Sequence, residues 1–432
     1  MRRLLLFIFF SISLVKGDEV AQNSLTYLHI KDTRIPVIFE DSNMLPIGFI
    51  RVIFNGGGSI FEPKVGLSSF SADLLERGTH KKGEYKFAYE LESNAIGLNV
   101  NNGMESFGFS LEFIKQKEDK AIKLLGELLS DPNFTNEAFN QTKLNITSYI
   151  LSKENDFDYI AQNNLNKLIF KGTPLENPPL GDINSIDKIT LNDVKDFLQK
   201  ILVLDNIVIL IGGDIELEKT KQKLQSILEF LPKGEKYKSK KYYPTENIGE
   251  ITAIKPTQQA YIYFASPFYF DNYENSLHKA QVMSFIMGSS GFGSRIMEEI
   301  RVKRGLAYSV YFYNVINNVT SHTMGYLQTN LENKDEAINA IKETIATFIK
   351  DSVTKEELDS AKAYILGSRV LSDETLSQRL NKKYINFHRG LSLDYDKVLT
   401  KKIENLSLDE LNDYIKSHKE VNNLSFSIVV DK

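Results

Sequence analysis

Arg301 and Tyr308 stand seven residues apart in the segment Ile300-Arg-Val-Lys-Arg-Gly-Leu-Ala-Tyr-Ser-Val310. A guanidinium and a phenol both suit hydrogen bonding to a peptide carbonyl, and both stabilise the oxyanion that forms when water attacks it. Two structural alternatives stay open. Arg301 follows Glu298-Glu299 and can form a salt bridge on a helix, and Tyr308 can be a half-buried strand residue. We expect a functional pair, weighed against these two alternatives.

Histidine spacing argues against a zinc site in this chain. The six histidines are never within five residues of one another: His29, His80, His278, His322, His388 and His418. A helical zinc motif places two imidazoles four residues apart, so that both project to one side. Glu76 and His80 have that spacing, but Gly78 and Thr79 predict that a helix ends between them, and two scattered ligands do not define a zinc site.

An internal repeat positions these residues. The segment Ile186-Asp-Lys-Ile-Thr-Leu-Asn-Asp-Val-Lys-Asp-Phe-Leu-Gln199 matches Ile403-Glu-Asn-Leu-Ser-Leu-Asp-Glu-Leu-Asn-Asp-Tyr-Ile-Lys416 without a gap, at an offset of 217 residues. The same register continues into two apolar runs, Asn206–Ile211 and Asn423–Ile428. Similarity held through a helix, a loop and a strand indicates two homologous halves.

Capping patterns and alternating apolar residues predict the elements of each half. A hydroxyl followed three residues later by an acid marks a helix start at Thr190/Asp193, Ser407/Glu410 and Thr354/Glu357. Strands are predicted at Phe49–Phe54, Glu250–Ile254, Ala260–Phe264 and the two repeated apolar runs. The predicted fold class is α+β, with two homologous α/β sandwich domains, each a mixed sheet covered by helices.

Length and composition fit two globular domains. The 432 residues exceed one ordinary core, and 42% hydrophobic with 25% charged residues is typical of a folded protein. A net charge of −4 gives no global reason to expect nucleic acid or an anionic membrane as a partner. We predict an N-terminal domain over residues 24–231, a linker over 232–249 and a C-terminal domain over 250–432.

The first residues have the pattern of a secretory signal peptide. Arg2-Arg3 precede an apolar run from Leu4 to Val15, and Gly17 offers a small residue before a cleavage point. An uncleaved membrane anchor is the alternative, but this run is shorter than the roughly 20 residues that span a bilayer. Residues 1–17 therefore predict export to the periplasm or the exterior. The chain has no cysteine, which excludes disulfides and a lipid-modified N-terminal cysteine.

The predicted linker is rich in lysine. It begins Pro232-Lys-Gly-Glu-Lys-Tyr-Lys-Ser-Lys-Lys241 and shows no hydrophobic period. Like charges in a linker mainly keep it extended, which favours a solvated hinge. A surface for an acidic partner is the sharper alternative.

With these motifs in place, nearly the whole mature chain resembles the pitrilysin, or insulin-degrading-enzyme (insulinase), family of zinc metallopeptidases. The Arg301/Tyr308 segment carries the most specific resemblance. Three further stretches fit the family pattern: Gly56-Gly57-Gly58-Ser59 with Glu62 and Gly66, Gly181-Asp182-Ile183 with Ile186, and the loop Gly288–Ser294 followed by Arg295. That glycine-serine loop has no phosphate-binding lysine and predicts a tight turn.

The resemblance also locates the positions where active members of the family hold zinc. Their helix carries His-x-x-Glu-His, with two imidazole ligands and a general base, and a distant Glu is the third ligand. Aligned through Leu75-Glu-Arg-Gly-Thr79, these positions fall on Ser69, Ala72 and Asp73, and the distant ligand falls near Tyr149. None of the four is the residue that the family uses, so the zinc motif is degenerate and no metal is expected here.

The resemblance implies a zinc-free subunit of an exported heteromeric peptidase. A zinc-bearing sister subunit would hold the metal, and Arg301 and Tyr308 would bind substrate and stabilise the transition state across the interface. The implied substrates are unfolded peptides, and the chain alone is expected to be inactive. Two rivals remain: a scaffold or peptide-binding protein that kept only the fold, and an autonomous peptidase with an unrecognised metal site, which the histidine spacing opposes.

Overall fold

A computed structural model describes residues 24–432, apart from the side chains at 24, 370 and 372. The predicted signal peptide, residues 1–17, lies outside the described part of the chain. No helix within 24–432 is both long and apolar enough to span a bilayer.

The first half contains a six-stranded sheet in the order β1-β2-β6-β3-β5-β4. Its strands are β1 Ser24–Ile30, β2 Thr33–Asp41, β3 Ile47–Asn55, β4 Ile96–Asn102, β5 Ser106–Ile114 and β6 Ile207–Gly213. Its helices are α1 Leu67–Leu75, α2 Gly83–Glu92, α3 Glu118–Ser130, α4 Asn136–Ser152, α5 Phe157–Ile169, α6 Ile183–Asp187, α7 Leu191–Ile201 and α8 Leu217–Leu228. Strands β2 and β6 are parallel, and the other neighbours are antiparallel, so the sheet is mixed.

The second half contains a five-stranded sheet in the order β7-β11-β8-β10-β9. Its strands are β7 Glu250–Ile254, β8 Gln259–Pro267, β9 Val310–Ile316, β10 Ser321–Asn330 and β11 Ser425–Val430. Its helices are α9 Tyr273–Ser284, α10 Arg295–Met297, α11 Lys334–Asp351, α12 Lys355–Ser368, α13 Leu376–His388, α14 Tyr395–Asn405 and α15 Leu408–Ser417, with π-helical turns at Phe285–Ser289 and Glu298–Lys303. The strand order repeats β2-β6-β3-β5-β4 of the first half, and β7 and β11 are parallel like β2 and β6. The predicted fold class and duplication are confirmed.

The helix starts are those that the sequence predicts. Thr190, Thr354 and Ser407 each accept a hydrogen bond from the third backbone amide of their helix, and the acid at that position bonds back to the cap. These capping boxes satisfy amide donors that the first turn of a helix otherwise leaves unpaired. Local sequence therefore fixes where α7, α12 and α15 begin.

Two helices cross from one half to the other. Helix α5 of the first half lies on the second sheet, where Leu165 and Ile169 pack with Ala265. Helix α13 of the second half lies on the first sheet, where Leu380 packs among residues such as Ile38. Each crossing helix gives a sheet an apolar cover on the face opposite its own helices.

A polar seam also joins α13 to the first half. Buried Glu40 accepts from Arg379 Nε at 2.6 Å and pairs with buried Lys383. Farther along the helix, the Tyr384 hydroxyl donates to Asn55 Oδ1 at 2.7 Å. Because breaking one partner of a buried ion pair leaves an uncompensated charge, this seam resists separation of the halves.

The linker is not the solvated hinge that its lysines predict. The hydroxyl of Ser239 donates to Glu105 Oε1 of the first half at 2.7 Å, and the Tyr242 amide donates to Val319 O of the second at 2.6 Å. Tyr237 packs so closely on Gly56 that a Cβ at position 56 would lie 2.5 Å from the tyrosine Cβ. The prediction of a hinge free in solvent is wrong, because Ser239 and Tyr242 bond to opposite halves. The prediction that the lysines are solvated holds for Lys236, Lys238 and Lys240.

Candidate functional site

The backbone around Arg301 is firmly anchored. Arg301 lies in the π-helical turn Glu298–Lys303, which directly continues α10. The neighbouring Ile300 is fully buried, and its carbonyl accepts from Leu306 N at 2.9 Å. Burial of Ile300 and its hydrogen bond therefore fix the backbone that carries Arg301. π-Helical turns are rare and often occur at functional sites.

The two neighbouring arginines have carboxylate partners, whereas the Arg301 guanidinium has none within residues 24–432. Arg295 donates to Glu357 in a bidentate pair that includes a 2.7 Å bond, and Arg304 pairs with Glu343 at 2.9 Å. Glu299 pairs with Lys303, four residues on, and Glu298, three residues before Arg301, forms no ion pair with it. The salt-bridge alternative for Arg301 is therefore wrong.

Tyr308 projects from the loop that precedes β9. Its side chain is 82% exposed, although its neighbours Leu306 and Ala307 are buried. The Leu306 carbonyl accepts from Thr329 Oγ1 at 2.6 Å, which fixes the loop to β10. The alternative of a half-buried strand residue is therefore wrong, because the strand begins only at Val310.

Arg301 lies between two exposed aromatic rings. Its Cζ is 4.5 Å from the ring centroid of Tyr308 and 4.6 Å from that of Phe292, and both distances are within cation–π range. Phe292 is 73% exposed, an unusual position for a phenylalanine. The structure thus joins Arg301 and Tyr308, as expected of a pair, and adds Phe292.

Sequence analysis missed Phe292 because it treated the surrounding loop only as a turn. That turn exists: Gly291 and Gly293 have φ values of +68° and +84°, and Ser294 N donates to Gly291 O at 3.1 Å. Glycine adopts such left-handed backbone readily. The available signal was a large apolar residue between two glycines, but its contact with Arg301 depends on the fold.

The exposed cluster can bind a peptide carbonyl but supplies no nucleophile of its own. A guanidinium has five N–H donors, and a phenol adds one O–H donor. Contact with the two rings restrains the guanidinium, and its N–H donors have no hydrogen-bond partner within residues 24–432. The cluster therefore has the chemistry of a carbonyl or oxyanion clamp.

Three of the positions that the resemblance predicts to correspond to the zinc motif lie on α1 of the first half. Ser69 is buried, donates to Pro179 O at 2.8 Å and accepts from Asn102 Nδ2 at 2.9 Å. Ala72 is buried as well. Asp73 is exposed on the helix surface, yet partial burial of its carboxyl and, secondarily, the nearby Glu76 raise its pKa to about 6.

The remaining positions do not complete a metal site. Tyr149 lies on α4, is 49% exposed and has the Lys153 ammonium 5.5 Å from its ring. Helix α1 ends at Leu75, just before the predicted end between Glu76 and His80, and His80 follows a turn at Gly78, whose φ is +77°. No group of three or more His, Cys, Asp or Glu side chains in the described part of the chain is arranged to hold a metal ion. The residues present do not fit zinc.

Glu76 instead contacts the edge of the first sheet. Its Oε1 accepts from the backbone N–H of Val100 in the edge strand β4 at 3.3 Å. An edge strand presents unpaired backbone groups to which another strand can add. Here the backbone N–H of Val100 is already hydrogen-bonded to Glu76, which follows the last residue of α1.

Comparisons with known proteins agree with this geometry. The family described as insulinase (peptidase family M16) matches residues 43–183, and the one described as peptidase M16 inactive domain matches residues 188–365. A Helicobacter pylori protein named non-peptidase homolog YmxG is 41% identical over 95% of both chains. The uncharacterized zinc protease YmxG of Bacillus subtilis is 23% identical, covering 82% of this chain and 86% of its own. A solved M16 inactive domain from Pseudomonas fluorescens superposes with a TM-score of 0.85 at 22% identity, covering 95% of this chain and 98% of that one.

Proposed function

Since the chain belongs to the insulinase family, peptidase family M16, we propose that it is a non-peptidase subunit that lends Arg301 and Tyr308 to a zinc-bearing partner. The partner is a sister subunit of the same fold, and the substrates are unfolded peptides. The mature chain acts after export, following removal of residues 1–17. It has no proteolytic activity alone.

The unpaired guanidinium of Arg301 is the observation that carries this proposal. A helical arginine among acidic residues usually has a carboxylate partner, and its neighbours Arg295 and Arg304 have one. Arg301 has two exposed rings instead. Such an arrangement leaves its donors available to a molecule that is not part of this chain.

The chemistry of this subunit is electrostatic. Arg301 and Tyr308 donate to the carbonyl of a bound peptide and strengthen those bonds as negative charge develops on the oxygen. The partner's zinc, when bound, polarises that carbonyl and activates water. Two findings favour a subunit that does not itself hold the zinc. The described residues contain no group that fits a metal ion, and the H. pylori relative is named a non-peptidase homolog.

Peptide cleavage by the purified mature chain, alone and mixed with a zinc-motif sister from the same cell, tests the proposal. Metal content is determined in parallel. We expect activity only in the mixture, and its loss on Arg301→Ala or Tyr308→Phe. Arg304→Ala is the matched control, because Arg304 lies in the same segment but pairs with Glu343.

A scaffold is the competing outcome. Inactivity throughout, despite a stable complex with a verified zinc-loaded sister, would assign this chain to a structural or peptide-binding role. Cleavage by the single chain with stoichiometric zinc would reject both proposals.

A further inference from the structure

The linker alternates between an inward and an outward side. Tyr237 packs on Gly56, Ser239 bonds to Glu105, and Lys241 Nζ donates to Phe270 O at 3.2 Å. These odd-numbered residues therefore face the two halves. The segment forms no strand over 232–241, but its even-numbered lysines Lys236, Lys238 and Lys240 are exposed, whereas Tyr237 and Lys241 are half-buried.

Three exposed lysines occupy that outward side: Lys236, Lys238 and Lys240, here called the lysine row. The cation–π contacts follow the same alternation, because Lys240 lies 5.1 Å from the ring of Tyr242, and Lys241 lies 5.2 Å from that of Tyr243. None of the three ammonium groups in the row meets a carboxylate within residues 24–432. The row is thus an unneutralised line of charge.

The backbone beneath the row is held in place. Asn206 donates through Nδ2 to Glu235 O at 3.0 Å and accepts from Tyr237 N at 2.9 Å. Farther on, the Tyr242 amide donates to Val319 O. A fixed backbone reduces the conformational entropy that a partner must remove on binding, which distinguishes the row from lysines on a mobile loop.

Charge is concentrated here against the trend of the chain. Residues 232–243 contain five lysines and one glutamate, whereas the whole protein has a net charge of −4. Successive side chains on one side of a strand are about 6.6 Å apart, since each residue advances the strand by about 3.3 Å. Alternate carboxylates of another extended segment have the same spacing.

We infer that the lysine row binds an extended acidic segment of a partner polypeptide, with carboxylates at alternate positions. Charge complementarity and the shared spacing both favour this occupant. Nucleic-acid surfaces usually combine a basic domain with a broad basic patch, whereas this chain has a sequence pI of about 6.0 and a single row. The inference does not depend on the proposed function, because it uses none of the residues around Arg301.

A fluorescent peptide of four Glu-Thr repeats is the probe, and anisotropy with the full mature chain is the measurement. Glutamates in an extended (Glu-Thr)4 lie on one side, and threonine favours extended backbone. We expect the triple variant Lys236→Glu, Lys238→Glu, Lys240→Glu to bind at least tenfold more weakly, which follows from losing three exposed charge pairs. Binding should also weaken as salt is raised from 50 to 300 mM.

The control is a triple variant with the same change in net charge. Lys200, Lys350 and Lys401 are exposed on α7, α11 and α14, and their replacement by Glu should change binding less than twofold. Equal weakening by both triple variants would overturn the inference, because net charge alone would then explain binding. Equal affinity for a peptide with its four glutamates in one block would overturn the claim that the partner's carboxylates stand at alternate positions.

Two further probes separate other occupants. Tighter binding of an oligo-dT strand or of phosphatidylglycerol vesicles than of (Glu-Thr)4, lost in the lysine-row variant, would replace the acidic polypeptide with that ligand. Thermal unfolding of each variant establishes that it is folded. A triple variant with Gln at the same three positions should bind with intermediate affinity, which would show that affinity follows the charge at these positions.

Discussion

Polar side chains differ in burial and hydrogen bonding between helix α1 of the first half and the Arg301 segment of the second. On α1, Ser69 is buried with a donor and an acceptor, and Ala72 is packed into the core. In the second half, Tyr308 is largely exposed, and the Arg301 guanidinium contacts two rings and has no hydrogen-bond or ion-pair partner within residues 24–432. The difference teaches that these α1 positions serve packing, whereas the Arg301 segment leaves hydrogen-bonding capacity unused among the described residues.

The largest expected effect tests the second half of this comparison. Arg301→Ala should lower kcat/KM of the complemented two-chain enzyme by about 10²–10³, the usual cost of one oxyanion donor. Steady-state kinetics on a fixed peptide measures it. Arg304→Ala should change kcat/KM less than twofold, and equal losses in both variants would contradict a specific role for Arg301.

The next effect tests the packing role of α1. Ala72→Glu should destabilise the chain by about 2–4 kcal/mol, because it places a carboxylate in a site that is 3% exposed in the native protein. Urea unfolding measures the free-energy difference. Arg301→Ala, which removes surface cation–π contacts and no buried group, should change it by only about 0.5–1 kcal/mol. A tolerated Ala72→Glu would mean that α1 is not a packing element.

Phe292 offers a smaller effect that sharpens the geometry around Arg301. Phe292→Ala should lower kcat/KM of the two-chain enzyme about two- to fivefold, since an exposed cation–π contact contributes about 0.5–1 kcal/mol. Phe292→Tyr should restore most of the loss by replacing the ring. If Phe292→Ala combined with Arg301→Ala is no worse than Arg301→Ala alone, Phe292 acts through Arg301.

The smallest effect concerns pH and Asp73. Its pKa is raised to about 6 from an ordinary 3.8, so the native state binds this proton more tightly than the unfolded chain. Ionisation of Asp73 therefore lowers stability as pH rises from about 4 to about 6. Asp73→Asn should remove this slope and stabilise the protein at pH 7, by less than about 1 kcal/mol after solvent screening.

Urea unfolding of wild type and Asp73→Asn at pH 4, 5, 6 and 7 measures the difference. Subtracting the two curves removes what they share, including the contribution of Glu62, whose pKa burial raises to about 7. A difference that does not change across this range would contradict the raised pKa of Asp73.

Prediction succeeded where a pattern of spacing fixes the contact and failed where the contact depends on how the surrounding loops fold. The capping boxes at Thr190, Thr354 and Ser407 are confirmed because each joins residues three apart. The salt-bridge alternative for Arg301 failed because its guanidinium contacts the rings of Phe292 and Tyr308, while Glu299 pairs with Lys303 four residues on. The domain limits and the roles of Arg301 and Tyr308 stay predictions.

The sequence by itself determined the duplication, the helix starts and the lack of a histidine pair. These are properties of residue type and spacing along one chain, and they are read without knowing how the chain packs. Tertiary structure alone decided that Phe292 contacts Arg301, that α5 and α13 each pack on the sheet of the other half, and that the linker bonds to both halves. Most of these contacts join residues that are far apart in the chain, and the contact of Phe292 with Arg301 depends on a loop conformation that residue spacing does not specify. Only packing of the two cores brings these residues together.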